Sequence, residues 1–101
     1  MRARSSIRIL MYGLDADLQV TREMLLRHAG YAVDIAEDQP CYRKYLNKHK
    51  YRLVLLCHSV PQEERDDCEK FARCKKITVL ALCIAIAPQD LMRQVEELTT
   101  A

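Results

Sequence analysis

Tyr51-Arg-Leu-Val-Leu-Leu-Cys57-His-Ser-Val-Pro61 is the stretch that decides how this chain is read. A run of branched apolar residues stops abruptly at a polar turn and a proline, the pattern of a buried β-strand. In open parallel α/β sheets, chemistry lies at the carboxyl ends of the strands. Cys57 stands where this strand ends.

Outward from there, strand and helix alternate four times. Residues 7–12 form a short apolar run, and Gly13, Leu14 and Asp15 follow as a turn. The spacing predicts a helix over 17–29, with Leu18, Met24, Leu25 and Leu26 as its apolar positions. Asp15 or Asp17 is placed to cap it and Gly30 to stop it. Residues 31–36 read as a second strand, and 41–50 as a helix presenting Tyr42, Tyr45, Leu46 and His49 on one face. After the third strand, Pro61 opens a helix with Glu63 and Glu64 in its first turn, running to about Arg73. Residues 77–87 are the longest apolar run and read as the fourth strand. Pro88 breaks it and starts a last helix striped with Leu91, Met92, Val95 and Leu98. Such alternation implies right-handed βαβ units and a parallel sheet, a single α/β domain over residues 1–101.

Composition narrows the function classes. Half of the 101 residues are apolar, which argues against disorder. A formal charge of +2, with acids and bases interspersed, gives no electrostatic case for nucleic acid or an anionic membrane. Arg2, Arg4 and Arg8 make only a small basic lead-in. No segment approaches the ~20 apolar residues of a membrane span, and no secretory pattern is present. Five cysteines, an odd number, fit free thiols in a reducing cytoplasm better than a disulfide scaffold. Two glycines in the whole chain leave no glycine-rich phosphate loop.

Several stretches resemble bacterial response-regulator receiver (CheY-like) domains. Leu53 to Pro61 is similar to the third receiver strand, "DLVLLDxxxP"; Ile9 to Asp15 to the first, "ILVVDDD"; and Thr21 to Tyr31 to the "TRxxLLxxxGY" of the first helix and its exit. Val33 to Asp38 is similar to "VxxAxDG", Val79 to Cys83 to "VIALT", and Pro88 to Leu98 to the closing helix. The resemblance implies a three-layer flavodoxin-like domain and a role in two-component signalling or phosphorelay.

It also implies a lost chemistry. Receivers phosphorylate an aspartate at the end of the third strand, and Cys57 holds that position here. Gly13 and Leu14 fall where the family carries the acidic pair that holds magnesium. Asp15 lies one position later, and a single carboxylate is a poor magnesium site. Cys83 stands at the Thr/Ser switch position, and no lysine matches the family's fifth-strand "KP"; Ala87-Pro88 is the nearest equivalent. Aspartyl phosphorylation is therefore not the expected mechanism, nor is any enzyme activity, metal, cofactor or small-molecule substrate.

The usual fourth helix and fifth strand are also missing. That predicts four strands in order 2-1-3-4, with an uncharged edge carrying Ile77, Val79, Ala81, Cys83, Ile84 and Ile86. A homodimer across this edge, or a signalling partner such as a kinase or regulator, is the expected use. A second reading takes Cys57 and Cys83, with His58, as a redox- or metal-responsive site. The ligands lack C-x-x-C spacing, and cysteines filling strand-end space are the plainer account. Packing and surface positions likewise account for Cys68, Cys74, His28, His49 and the tyrosines Tyr42, Tyr45 and Tyr51.

Overall fold

The order of elements is β1 (Arg8–Tyr12), α1 (Ala16–His28), β2 (Ala32–Ala36), α2 (Gln39–Lys48), β3 (Leu53–Leu56), α3 (Gln62–Cys74), β4 (Thr78–Ala81) and α4 (Pro88–Thr99). The computed structural model describes residues 7–82 and 86–99. Arg2, Arg4, Cys83 and Ile84 lie outside the described residues.

The strands form one parallel sheet in the predicted order β2-β1-β3-β4. Its centre is the pair β1 and β3, where Ile9 lies opposite Leu53 and Tyr12 opposite Leu56. Ile9, Leu10, Met11, Leu53, Val54 and Leu55 have no exposed surface. Each contributes on the order of 1.5–3 kcal/mol by burial, so the unbroken apolar runs suit a strand covered on both faces.

Alternation sends successive side chains to opposite faces. Ile9, Met11, Val33, Leu53, Leu55 and Cys57 meet Leu26 of α1 and Leu91 and Val95 of α4. Leu10, Tyr12, Val54 and Leu56 meet Tyr42 and Leu46 of α2 and Cys68 and Ala72 of α3. The last helix thus packs on the α1 side, and its stripe of Leu91, Met92, Val95 and Leu98 faces the core as its spacing predicts.

Local signals set the helix ends. Asp15 caps α1 by accepting from the Leu18 N–H at 3.2 Å, and Asp38 caps α2 by accepting from the Cys41 N–H at 2.8 Å. Gly30, with φ 101°, ends α1.

Two expectations need correction. Met24 is 66% exposed; Gln19, Arg22 and Leu26 are the buried residues of α1. These three share one helical face, and Met24, two residues from both Arg22 and Leu26, lies roughly opposite. The fourth strand is also shorter than residues 77–87. It pairs from Thr78 to Ala81, the Leu82 N–H adds a bond to the Leu56 carbonyl at 2.8 Å, and Ile86 and Ala87 are not strand. β3 itself ends at Leu56, and the Val60 N–H turns back to the Cys57 carbonyl at 3.1 Å.

Candidate functional site

The parallel register of β1 and β3 brings their carboxyl ends together. The Cys57 N–H donates to the Tyr12 carbonyl at 2.9 Å, which sets Cys57 beside Gly13. The fit is tight: a Cβ on Gly13 would lie 2.7 Å from the Cys57 Cβ, 2.9 Å from its Sγ and 3.2 Å from the Gln19 Nε2. Gly13 is required here for space. Gln19 closes the same spot from α1, its Nε2 donating to the Gly13 carbonyl at 2.8 Å.

Cys57 itself is 2% exposed, with buried Arg22 one helical turn beyond Gln19. Burial raises the thiol's pKa, and hydrogen bonding and charge from the Arg22 guanidinium only partly oppose that. Cys57 is therefore a protonated, packed thiol. The other positions of the expected acidic pocket are equally spent. Leu14 is an exposed side chain whose backbone N–H donates to Ser59 Oγ at 2.8 Å, and the Asp15 carboxylate caps α1. No carboxylate pair faces Cys57 among these residues. His58 Nδ1 is buried and finds no hydrogen-bond partner among the described residues.

Sequence reasoning missed Gln19 and Arg22. Their signal was phase: they lie three residues apart and in register with Leu26, on the face that must meet the sheet. Cys83, expected at the switch position, and any approach of it to Cys57 lie outside the described residues.

The other thiols are placed as packing predicts. Cys68 is buried in α3, where burial pushes its pKa up to about 11, and the Tyr42 hydroxyl donates to its carbonyl at 2.8 Å. Cys74 is exposed at the end of α3. Tyr42 packs in the core between Tyr12 and Phe71 with tilted rings, centroids 5.5 and 6.5 Å away.

Of the expected edge residues, Ile77 and Val79 are half-buried on the α2/α3 face, and Ala81 is exposed. Ile86 packs into the α1/α4 core instead of extending the edge. β4 pairs with β3 on one side and, among the described residues, with no strand on the other. A second exposed apolar surface lies on α1, where Met24 and Leu25, with Thr21 and His28, line a shallow hollow of about 520 Å³.

No family model matches the chain, and no curated protein sequence does. Solved structures do match. The response regulator TrrA of Thermotoga maritima, in complex with Mg²⁺–BeF, superposes with a TM-score of 0.74 at 18% identity, over 91% of this chain and 98% of that one. The receiver domain of the hybrid histidine kinase CckA gives 0.71 at 20% identity, over 92% and 99%. A CheY-like receiver domain protein from Methanospirillum hungatei JF-1 gives 0.67 at 16%, over 90% and 91%. The fold is that of response-regulator receiver domains. No helix among the described residues is long and apolar enough to cross a membrane.

Proposed function

We propose that this protein is a phosphorylation-independent receiver-like module of two-component type, a non-enzymatic cytoplasmic domain that works through protein contacts. The observation that carries this reading is the packing of Cys57 against Gly13. A phosphoryl group needs an acceptor oxygen, a metal and room for both, and the space beside Cys57 is filled by Gln19 and Arg22. Asp15 is already committed to capping α1.

The module acts as a homodimer joined through the free edge of β4. An unpaired strand edge is a template for a second strand, and Thr78 and Ala81 stand exposed along it. The raised pKa of buried Cys57 weighs against the alternative of a thiolate-based redox or metal sensor.

Beryllofluoride with magnesium tests the first half, with TrrA, whose structure holds Mg²⁺–BeF, as control. The expected result is no change in amide NMR shifts near Gly13 and Cys57. Saturable shifts there would sink the reading. Sedimentation at micromolar concentration tests the second half: a dimer that Val79→Pro dissociates is expected, and a monomer at all concentrations removes the edge-pairing claim. Proline lacks the N–H that a ladder requires.

A further inference from the structure

At the end of the sheet opposite Cys57, a groove of about 420 Å³ opens between the C-termini of α2 and α3. Its size falls in the range of small-molecule sites, roughly 300–1,000 Å³. Leu46, Ile77 and the ring of Tyr51 supply apolar lining, and His49, Lys50, Lys75 and Lys76 are the remaining lining residues. The ring of His49 is held edge-on to Tyr51, centroids 6.2 Å apart. Nearby carboxylates are engaged elsewhere. Asp34 accepts from the Tyr51 hydroxyl at 2.6 Å and from Arg8 at 3.2 Å, and Glu69 is paired with Arg73.

A second observation singles out Lys76. Its φ of 62° makes it the one non-glycine residue in the left-handed region among the described residues. Lysine is strained there, and a side chain kept in such a conformation points to a use for it.

The geometry points to a binding site for a small organic anion, an oxyanion head (phosphate or carboxylate) on an apolar or aromatic body. Lys50 and Lys76 bind the head by charge-assisted hydrogen bonds, Lys75, whose ammonium lies 5.3 Å from the Phe71 ring centroid, adds charge beside them, and Leu46, Tyr51 and Ile77 take the body. Two basic residues from each helix end converge on one groove, so a single ligand bridges α2 and α3. The inference does not depend on the function proposed above.

Amide NMR titration of the intact chain tests it, with phenyl phosphate, benzoate and inorganic phosphate as probes. Saturable shifts at Lys50, Tyr51, Lys76 and Ile77 are expected with at least one aromatic anion. Inorganic phosphate binds about tenfold more weakly for want of the body, and preference between phenyl phosphate and benzoate identifies the head group. Lys76→Gly, which removes the cation without straining the backbone, weakens binding about tenfold, as does Lys75→Gln. Three results would overturn the site: no saturable shifts at millimolar probe, equal affinity for inorganic phosphate, or unchanged binding by Lys76→Gly.

Discussion

Two helices of this domain end in the same way on different residues. At the end of α1, the Gly30 N–H donates to the Arg27 carbonyl and the Tyr31 N–H to that of Leu26, at 3.0 and 3.1 Å. At the end of α3, the Lys76 N–H donates to the Arg73 carbonyl and the Ile77 N–H to that of Ala72, at 2.9 and 3.0 Å. Each is a Schellman motif sealed by an apolar residue one place further on, Tyr31 on one face of the sheet and Ile77 on the other. The turn residue is a glycine with φ 101° in the first and a lysine with φ 62° in the second. The same hydrogen bonds tolerate both. What differs is the side chain delivered, none at Gly30 and a cation at Lys76.

Glycine is demanded in this chain for two separate reasons, and substitution tells them apart. Gly13→Ala has the largest expected effect, because the new Cβ falls within 3 Å of the Cys57 side chain. A loss of about 1–3 kcal/mol is the usual result of such overpacking, read as a lower midpoint in urea at unchanged slope. The partner Cys57→Gly opens the space again. The double variant should therefore lose less than the two single losses combined, and additive losses would show that contact with Cys57 is not the cause.

Gly30→Lys comes next. It places at α1 the residue that α3 accepts, but φ 101° lies well beyond the small left-handed region near +50 to +70° that L-residues reach. A destabilisation of about 1–2 kcal/mol is expected by thermal melting. If the substitution is neutral, the two helix ends are interchangeable and the strain at Lys76 means nothing.

Lys76→Gly runs the comparison in reverse. Relief of roughly 1–2 kcal/mol of backbone strain is offset by the roughly 0.4–1 kcal/mol that a freer unfolded chain costs, leaving a gain of about 1 kcal/mol or less. The melting temperature rises by a few degrees. A lysine that lowers stability where glycine would raise it is the trade-off expected of a binding residue.

The sequence made the α1 end legible and left the α3 end hidden, for a physical reason. Asp15, Gly30 and Pro61 announce a cap, a stop and a start, so element order could be read directly, whereas the strand order came with the resemblance to receivers. Lysine announces nothing, and only the bonds around Lys76 reveal its conformation. The length of β4 was hidden because its partner sets it: the apolar run continues to Ala87, but β3 does not. Gln19 and Arg22 were hidden by their chemistry, since polar side chains do not look like a core face until the sheet end they close is in view. The apolar run to Leu56 placed Cys57 at the end of β3, while its contact with Gly13 depends on the register of β1 and β3.

The smallest expected effect concerns thiols along α3, and it separates local opening of that helix from global unfolding. Cys74 is exposed in the last turn, so an alkylating reagent should reach it at once; Cys68 is buried in the middle of the same helix. Cys68 reacts only when α3 opens or the domain unfolds. Lys76→Gly firms the α3 end and should slow Cys68 about two- to fivefold, the factor that corresponds to 0.5–1 kcal/mol, without changing Cys74. Proton binding adds a second axis. The folded Cys68 holds its proton up to about 11, against 9.0 for the free thiol, because burial disfavours the charge. The folded state thus binds more protons than the unfolded one through that interval. Its stabilising contribution is complete below pH 9 and is lost as pH rises toward 11. In Cys68→Ala the alkaline decline in stability should be shallower over that window, whereas in Lys76→Gly it should keep its slope and shift only in height. A Lys76→Gly variant with an altered slope would mean that the helix end reaches the buried thiol, and the middle and end of α3 would then have to be treated as one unit.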